Sequence, residues 1–332
     1  MTDSVKRIFP LGFPWPTQDP FLFCVHNLDH FPEGNEDMGP ATSLAGRNLG
    51  NDFTGKDGWS MYHGKKVPGF PYHPHRGFET VTIANTGYCD HSDSLGAAGR
   101  FGEGDVQWMT AGKGVQHAEM FPLLETGQKN TLELFQIWLN LPKVNKLVAP
   151  HFSMLWNEDI PVVETEGVTV KLVAGTFAER EAPAPAPDSW AADPINEVAI
   201  WLIKMDPRSK LILPQSKDVV NRSLYLYGGS DVAIGNETIR KGQGAALVST
   251  EDATLANGNV EAHLLLLQGR PISEPVAKYG PFVMNTQNEI EQAMREYRET
   301  EFGGWPWPTP DHVHPREQGR FAKFPDGTLT EK

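Results

Sequence analysis

The apolar residues of this chain recur with the period of β-strands, in short runs closed by turns. Phe78-Glu-Thr-Val-Thr-Ile-Ala84 is rich in β-branched and aromatic residues and predicts a strand. Val106–Thr110, introduced by the turn Gly104-Asp105, predicts another. Phe21–His26 reads as an edge or closing strand. Thr131–Leu141, ended by Pro142, is apolar enough on both faces for a buried strand. In the second half, Val168–Ala174 alternates and stops at Gly175. Val198–Lys204, Ser223–Tyr227 and Ala262–Gln268 follow, separated by Gly228-Gly229 and Gly242-Gln-Gly244. One segment has helical period. Thr286-Gln-Asn-Glu289 is a capping box, and Ile290, Ala293, Met294 and Tyr297 recur behind it on one face. The pattern predicts an all-β protein with one C-terminal helix, and 332 residues suffice for two domains.

Between these runs lie irregular stretches. Residues 31–66 read as a loop-like insertion, placed to cover the mouth of the first domain or to feed an oligomer contact. His30 and His63, in or beside it, read as solvated loop histidines. Ala182-Pro-Ala-Pro-Ala-Pro187 must be extended and stiff, because proline supplies neither helix nor ladder donors. The end of the chain, 302–332, holds Trp305-Pro-Trp-Pro308 and His312-Val-His314 and reads as a docked, extended tail.

Charge and cysteine content narrow the partners. A formal net charge of −13, from 29 basic and 42 acidic residues, argues against direct binding to nucleic acid. Cys24 and Cys89 cannot build a disulfide framework, so a reducing, cytoplasmic setting is expected. The opening Met1-Thr-Asp-Ser-Val-Lys-Arg-Ile8 lacks the apolar core of a secretory leader. No apolar run is long enough for a membrane helix, so no membrane partner is expected.

The chemistry concentrates in two clusters, His73-Pro-His75-Arg-Gly-Phe-Glu79 and His117-Ala-Glu119. Residues two apart on a strand share a face and stand about 7 Å apart. If the strands run unbroken, 73, 75 and 79 share one face, and 117 and 119 another. A lone His-x-His is common in surface loops. Two such clusters, one of them beside a strand, instead offer three neutral imidazoles and a carboxylate to one divalent first-row ion. These donors do not separate iron, nickel, copper, manganese and zinc by affinity, and either Glu79 or Glu119 can supply the acid.

The block His73–Thr80, the block Gly104–Met120 and Gly280-Pro-Phe-Val-Met-Asn-Thr286 together resemble the signature segments of the pirins, a branch of the cupin superfamily. The resemblance implies a bicupin, two tandem antiparallel β-barrels of jelly-roll type followed by a helix. On this reading 1–150 is the metal-binding barrel, 151–285 a second barrel without metal, and 286–332 the helix and tail. It implies His73, His75, His117 and Glu119 as ligands of one ion, expected to be Fe(II). Glu79 then becomes an outer group that orients an imidazole or Arg76, or else the alternative ligand. The implied activity is that of a flavonol-opening dioxygenase acting on quercetin-like substrates with O₂. In that scheme Glu119 serves as base, and Trp108 and Met109 as pocket wall. The alternative is a non-enzymatic regulator that senses redox state through iron and binds a protein partner. In the second half His263, the sole histidine between His151 and His312, reads as structural.

Overall fold

The structure, a computed structural model, describes residues 4–332. The strands in order are β1 (Val5–Pro10), β2 (Phe21–Phe31), β3 (Gly69–His75), β4 (Phe78–Thr86), β5 (Tyr88–Asp93), β6 (Ala98–Gly102), β7 (Asp105–Thr110), β8 (Val115–Met120), β9 (Asn130–Asn140) and β10 (His151–Leu155). Further strands follow to Glu331, with a single α-helix among the described residues, α1 (Gln287–Thr300). The chain is mostly β, as its hydrophobic pattern predicts, and holds two cupin-like domains.

Contacts divide the chain into two compact units. One contains His26–Gln136, Lys143–Asn157 and Glu274–Lys332; the other contains residues up to Val25, Ile137–Pro142 and Glu158–Ser273. This partition exchanges the chain ends relative to the linear division at 150 and 285. The cause is ladder pairing. β1 pairs with the strand Gln243–Leu247, with Ile8 opposite Ala245, so the amino end belongs to the second cupin-like domain. Phe321–Lys323 pairs with β6, with Phe321 opposite Arg100, so the carboxyl end belongs to the first.

The first cupin-like domain is built on two sheets. One runs β10-β7-β4-β9-β2; the other runs from two short C-terminal strands through β6, β5 and β8 to β3. The insertion at 31–66 is anchored rather than loose. Its Trp59, Met61 and Tyr62 join Phe31, Phe101, Phe121 and Leu132 in a buried cluster. Buried Asp29 accepts hydrogen bonds from the Ser60 backbone N–H at 2.9 Å and the Tyr62 hydroxyl at 2.6 Å. Arg47 lies 3.3 Å over the Trp59 ring while donating to Asp52 at 2.9 Å. His63 is exposed in the loop, as expected; His30 is exposed too but lies in β2 rather than in a loop, because that strand runs on to Phe31.

The tail docks along β5 and β6. Buried Arg100 donates to both oxygens of buried Asp90, at 2.7 and 2.8 Å. Its remaining donors reach the carbonyls of His314, Pro315 and Gln318. The His314 backbone N–H returns to Asp90 at 2.8 Å, and the Trp307 indole donates to the Asp93 carbonyl at 2.8 Å. One guanidinium therefore fastens three tail carbonyls that would otherwise need water.

α1 forms as its capping box predicts. The Glu289 N–H donates to the Thr286 hydroxyl and the Thr286 N–H donates to the Glu289 carboxylate. Ile290 and Ala293 are buried beside Phe282, Met284 and Phe302.

In the second domain a seven-stranded and a four-stranded sheet enclose a large apolar cluster including Trp201, Leu224 and Leu266. His263 faces partly outward and bonds Glu261, two residues before it, at 2.8 Å. That acid at i−2 escaped the reading of His263 as a lone structural histidine in an apolar run.

Candidate metal centre

β3 and β8 pair in antiparallel register with His73 opposite His117. The side chains of directly opposed residues share a face, so the two imidazoles meet. Their Nε2 atoms are 3.1 Å apart. His75, two residues along β3, joins them, and donor nitrogens of all three lie within 4.8 Å of one another. On β8, Glu119 follows His117 at strand spacing, and its Oε2 stands 3.7 Å from His117 Nε2. The three histidines thus converge on one side of the six-stranded sheet, with the Glu119 carboxylate beside His117.

The surroundings set their protonation. His73 is half-buried, and desolvation pushes its pKa down to about 4. Burial holds His75 and His117 well below the usual imidazole range. All three are neutral at pH 7, the form that ligates metal. The Nδ1 of His73 lies 3.0 Å from the Pro71 carbonyl. A carbonyl only accepts, so this contact puts the proton on Nδ1 and leaves the Nε2 lone pair facing His117. Two donors held about 2.1 Å from one ion at right angles stand about 3.0 Å apart, close to the separation found. The donor set fits a divalent cation.

Glu119 is positioned from the opposing sheet. Thr82 of β4 donates to its Oε1 at 2.9 Å, and Gln136 of β9 donates to its Oε2 at 3.1 Å. Burial raises its pKa, which leaves the carboxylate more basic than an exposed glutamate.

Glu79 lies elsewhere, because β3 and β4 are separate strands in separate sheets. Gly77, at φ 83, makes the turn between them, and a Cβ there would stand 2.0 Å from the Val283 carbonyl oxygen. The face shared by 73, 75 and 79 on an unbroken strand therefore does not exist. On β4, Thr82 looks toward Glu119, so Glu79, at odd spacing from it, occupies the other face. There it accepts from the Thr110 hydroxyl at 2.7 Å. Arg76 is engaged by Glu296 at 2.6 Å and by the Lys113 carbonyl at 2.6 Å.

The candidate pocket residues divide by the same parity. Trp108 is opposite Val81 and shares the face of Glu79; Met109 is opposite Thr80 and shares the face of Thr82. Both are buried, and Met109 packs with Ala111 and Val115. Trp108 is thus placed in the core on the side away from the histidines. Three residues beside the centre were not visible as such in the sequence. Thr82 and Gln136 have just been described. The third, His91, sits opposite Glu119 across the β5–β8 ladder. Its ring lies 5.4 Å from that of His117 and stacks on Phe152 at 5.2 Å. Only the β5–β8 register reveals it. The His312-Val-His314 pair takes no part: the His314 ring bonds the His91 carbonyl at 3.0 Å, and His312 stacks on Trp307.

Comparison with known proteins places these observations in a family. Residues 44–139 match the Pirin family and residues 200–303 the Pirin C-terminal cupin domain. A protein of Pseudomonas aeruginosa, provisionally named a quercetin 2,3-dioxygenase, is 36% identical over 237 residues, which is 70% of this chain and 79% of the relative. Human Pirin is 36% identical over 249 residues, 73% of this chain and 80% of its own. Among solved structures, a quercetin 2,3-dioxygenase from Acinetobacter baumannii aligns with a TM-score of 0.70 at 27% identity, over 86% of this chain and 87% of that one.

Proposed function

The chain belongs to the pirin family, and from that premise we propose that His73, His75, His117 and Glu119 hold one divalent metal ion, Fe(II), and that the protein opens flavonols with dioxygen. The observation carrying this reading is the cluster of three neutral imidazoles, with the Glu119 carboxylate 3.7 Å from His117. The named similarity to quercetin 2,3-dioxygenases supports the substrate class.

Four protein ligands leave an octahedral ion two open positions, and bound there the ion would supply redox chemistry toward O₂. The protein's own contribution is separable. Burial keeps the imidazoles unprotonated, so protons do not compete for the donor atoms at neutral pH. Thr82 and Gln136 fix the orientation of the Glu119 carboxylate. Glu119 would accept the proton of the flavonol 3-hydroxyl at the oxygen turned away from the ion; a neighbouring dication lowers its basicity, and burial opposes that lowering. Thr80, Thr82 and Met109 line the β4–β7 face turned toward this carboxylate.

The test is aerobic incubation of iron-loaded protein with quercetin, following loss of the flavonol absorbance and release of carbon monoxide. Consumption with stoichiometric carbon monoxide is expected. No turnover, beside a known quercetinase active in the same buffer, contradicts the dioxygenase assignment. The sensing alternative draws on the net charge of −13. It demands that the Fe(II) and Fe(III) forms differ in affinity for a protein partner, and equal affinities rule it out.

A further inference from the structure

The second cupin-like domain contains a cavity of about 820 Å³ that owes nothing to the histidine cluster. Its origin lies in the inward rows of three strands. Trp201 and Ile203 on Ala199–Met205, Leu224 and Leu226 on Asn221–Gly228, and Leu264 and Leu266 on Ala262–Gly269 belong to one buried apolar cluster. Strand alternation carries these same rows on to Ala199, Arg222 and Gln268. The ladder sets Arg222 opposite Gln268, and Gln268 opposite Ala199. At this end of the domain the apolar rows close with a guanidinium and an amide.

Arg222 is only 3% exposed. Its Nε donates to Gln268 Oε1 at 2.6 Å and its Nη2 to the Pro214 carbonyl at 2.9 Å. Nη1 is buried and has no acceptor among the described residues. A guanidinium stays charged, so the spare donor cannot be silenced by losing a proton. A purely structural Arg222 would tie the strand to the Pro214 loop but would leave this donor unmet.

The rest of the lining specifies a ligand class. Ala182, Pro183 and Pro185 of the extended proline run, with Ala199 and Trp201, form small, rigid, apolar walls. Glu181 and Glu197 also border the cavity, as does Lys217; with Arg222 the charged lining is balanced, which suits a singly charged ligand paired to the buried guanidinium. A volume of about 820 Å³ lies within the range of small-molecule sites, roughly 300–1,000 Å³. We propose that this cavity is a second ligand site, taking a small molecule with an apolar body and a single carboxylate that pairs with Arg222. The proline run, extended and stiff by its sequence, is one wall of that site.

The test is calorimetric titration of the full-length, metal-loaded protein with octanoate, using octanamide as the neutral probe. Octanoate is expected to bind saturably at one site per chain, at least about tenfold more tightly than octanamide. Arg222→Met is expected to remove that preference. Glu197→Gln, which takes away the neighbouring negative charge, is expected to tighten octanoate several-fold. His117→Ala is expected to leave octanoate binding unchanged, which separates this site from the metal centre. Absence of saturable binding, equal affinity for the two probes, or full retention in Arg222→Met would overturn the proposal. If Arg222→Met does not fold, unchanged octanoate affinity in Glu197→Gln overturns it instead.

Discussion

His73 and His117 stand directly opposite each other between β3 and β8, with their Nε2 atoms 3.1 Å apart in a buried site. Both rings are held neutral by burial, and the Pro71 carbonyl fixes the His73 tautomer with its lone pair inward. With the His73 lone pair inward, the 3.1 Å contact is made by His117 Nε2–H donating, and a cation between the rings would replace that proton and take both lone pairs.

Substituting His117 therefore removes one of the two facing donors. His117→Ala is expected to lower metal affinity by more than the roughly 10–100-fold typical of losing an outer partner. Metal content of the purified variant, measured against wild type prepared alongside, checks this. Retention of one ion per chain would remove His117 from the ligand set.

Glu79 and Glu119 are separated by the same kind of measurement. Glu119→Gln is expected to weaken metal binding strongly, and Glu79→Gln to leave one ion bound with at most a small loss of thermal stability. The opposite pattern, with metal lost only in the Glu79 variant, would transfer the carboxylate role to β4.

These two glutamates also mark where the sequence stops being readable. The meeting of His73, His75 and His117, and the place of Glu119 beside His117, are legible because spacing by two survives within β3 and within β8. Glu79 is not, because the Gly77 turn sends the following residues into the other sheet, and one-dimensional spacing carries no record of sheet identity. The alternating strands and the capped helix were equally legible. β5 was not: Tyr88-Cys-Asp-His-Ser-Asp93 has no apolar rhythm, yet nearly all of it is buried. Its polar groups are tolerated because Asp90 meets Arg100, and that partner is set by the β5–β6 hairpin and the tail. The exchange of chain ends between the two units is invisible for a similar reason, since an edge strand accepts whichever segment reaches it.

The Asp90–Arg100 pair yields a prediction about the tail. Arg100→Met leaves a buried carboxylate uncompensated and three tail carbonyls without their donor. Loss of stability of about 3–5 kcal/mol is expected, the range for breaking a buried pair. Limited proteolysis read by intact mass is expected to show cleavage after residue 303 before any other site. A tail as protected as in wild type would mean that Trp305 and Trp307 hold it without Arg100.

Asp29 provides a pH signature for the insertion. Burial raises its pKa to about 6, against the lowering influence of Tyr62 and Ser60. A carboxyl whose folded pKa lies above its unfolded value stabilises the fold below the unfolded pKa, and that contribution is lost as pH rises through about 6. Wild type is therefore expected to gain stability relative to Asp29→Asn as pH falls from 7 to 4, by at most about 3 kcal/mol. Thermal melts of both proteins across this window check the sign, and a gain toward higher pH would contradict it.

The central claim is tested most directly by an anomalous difference map, at the iron edge, of crystals loaded with Fe(II) under anaerobic conditions. The account predicts one peak per chain, about 2.0–2.2 Å from imidazole nitrogens of His73, His75 and His117 and from a carboxylate oxygen of Glu119. A peak bonded to Glu79 in place of Glu119, or a site among these four residues that stays empty at saturating iron, would contradict it.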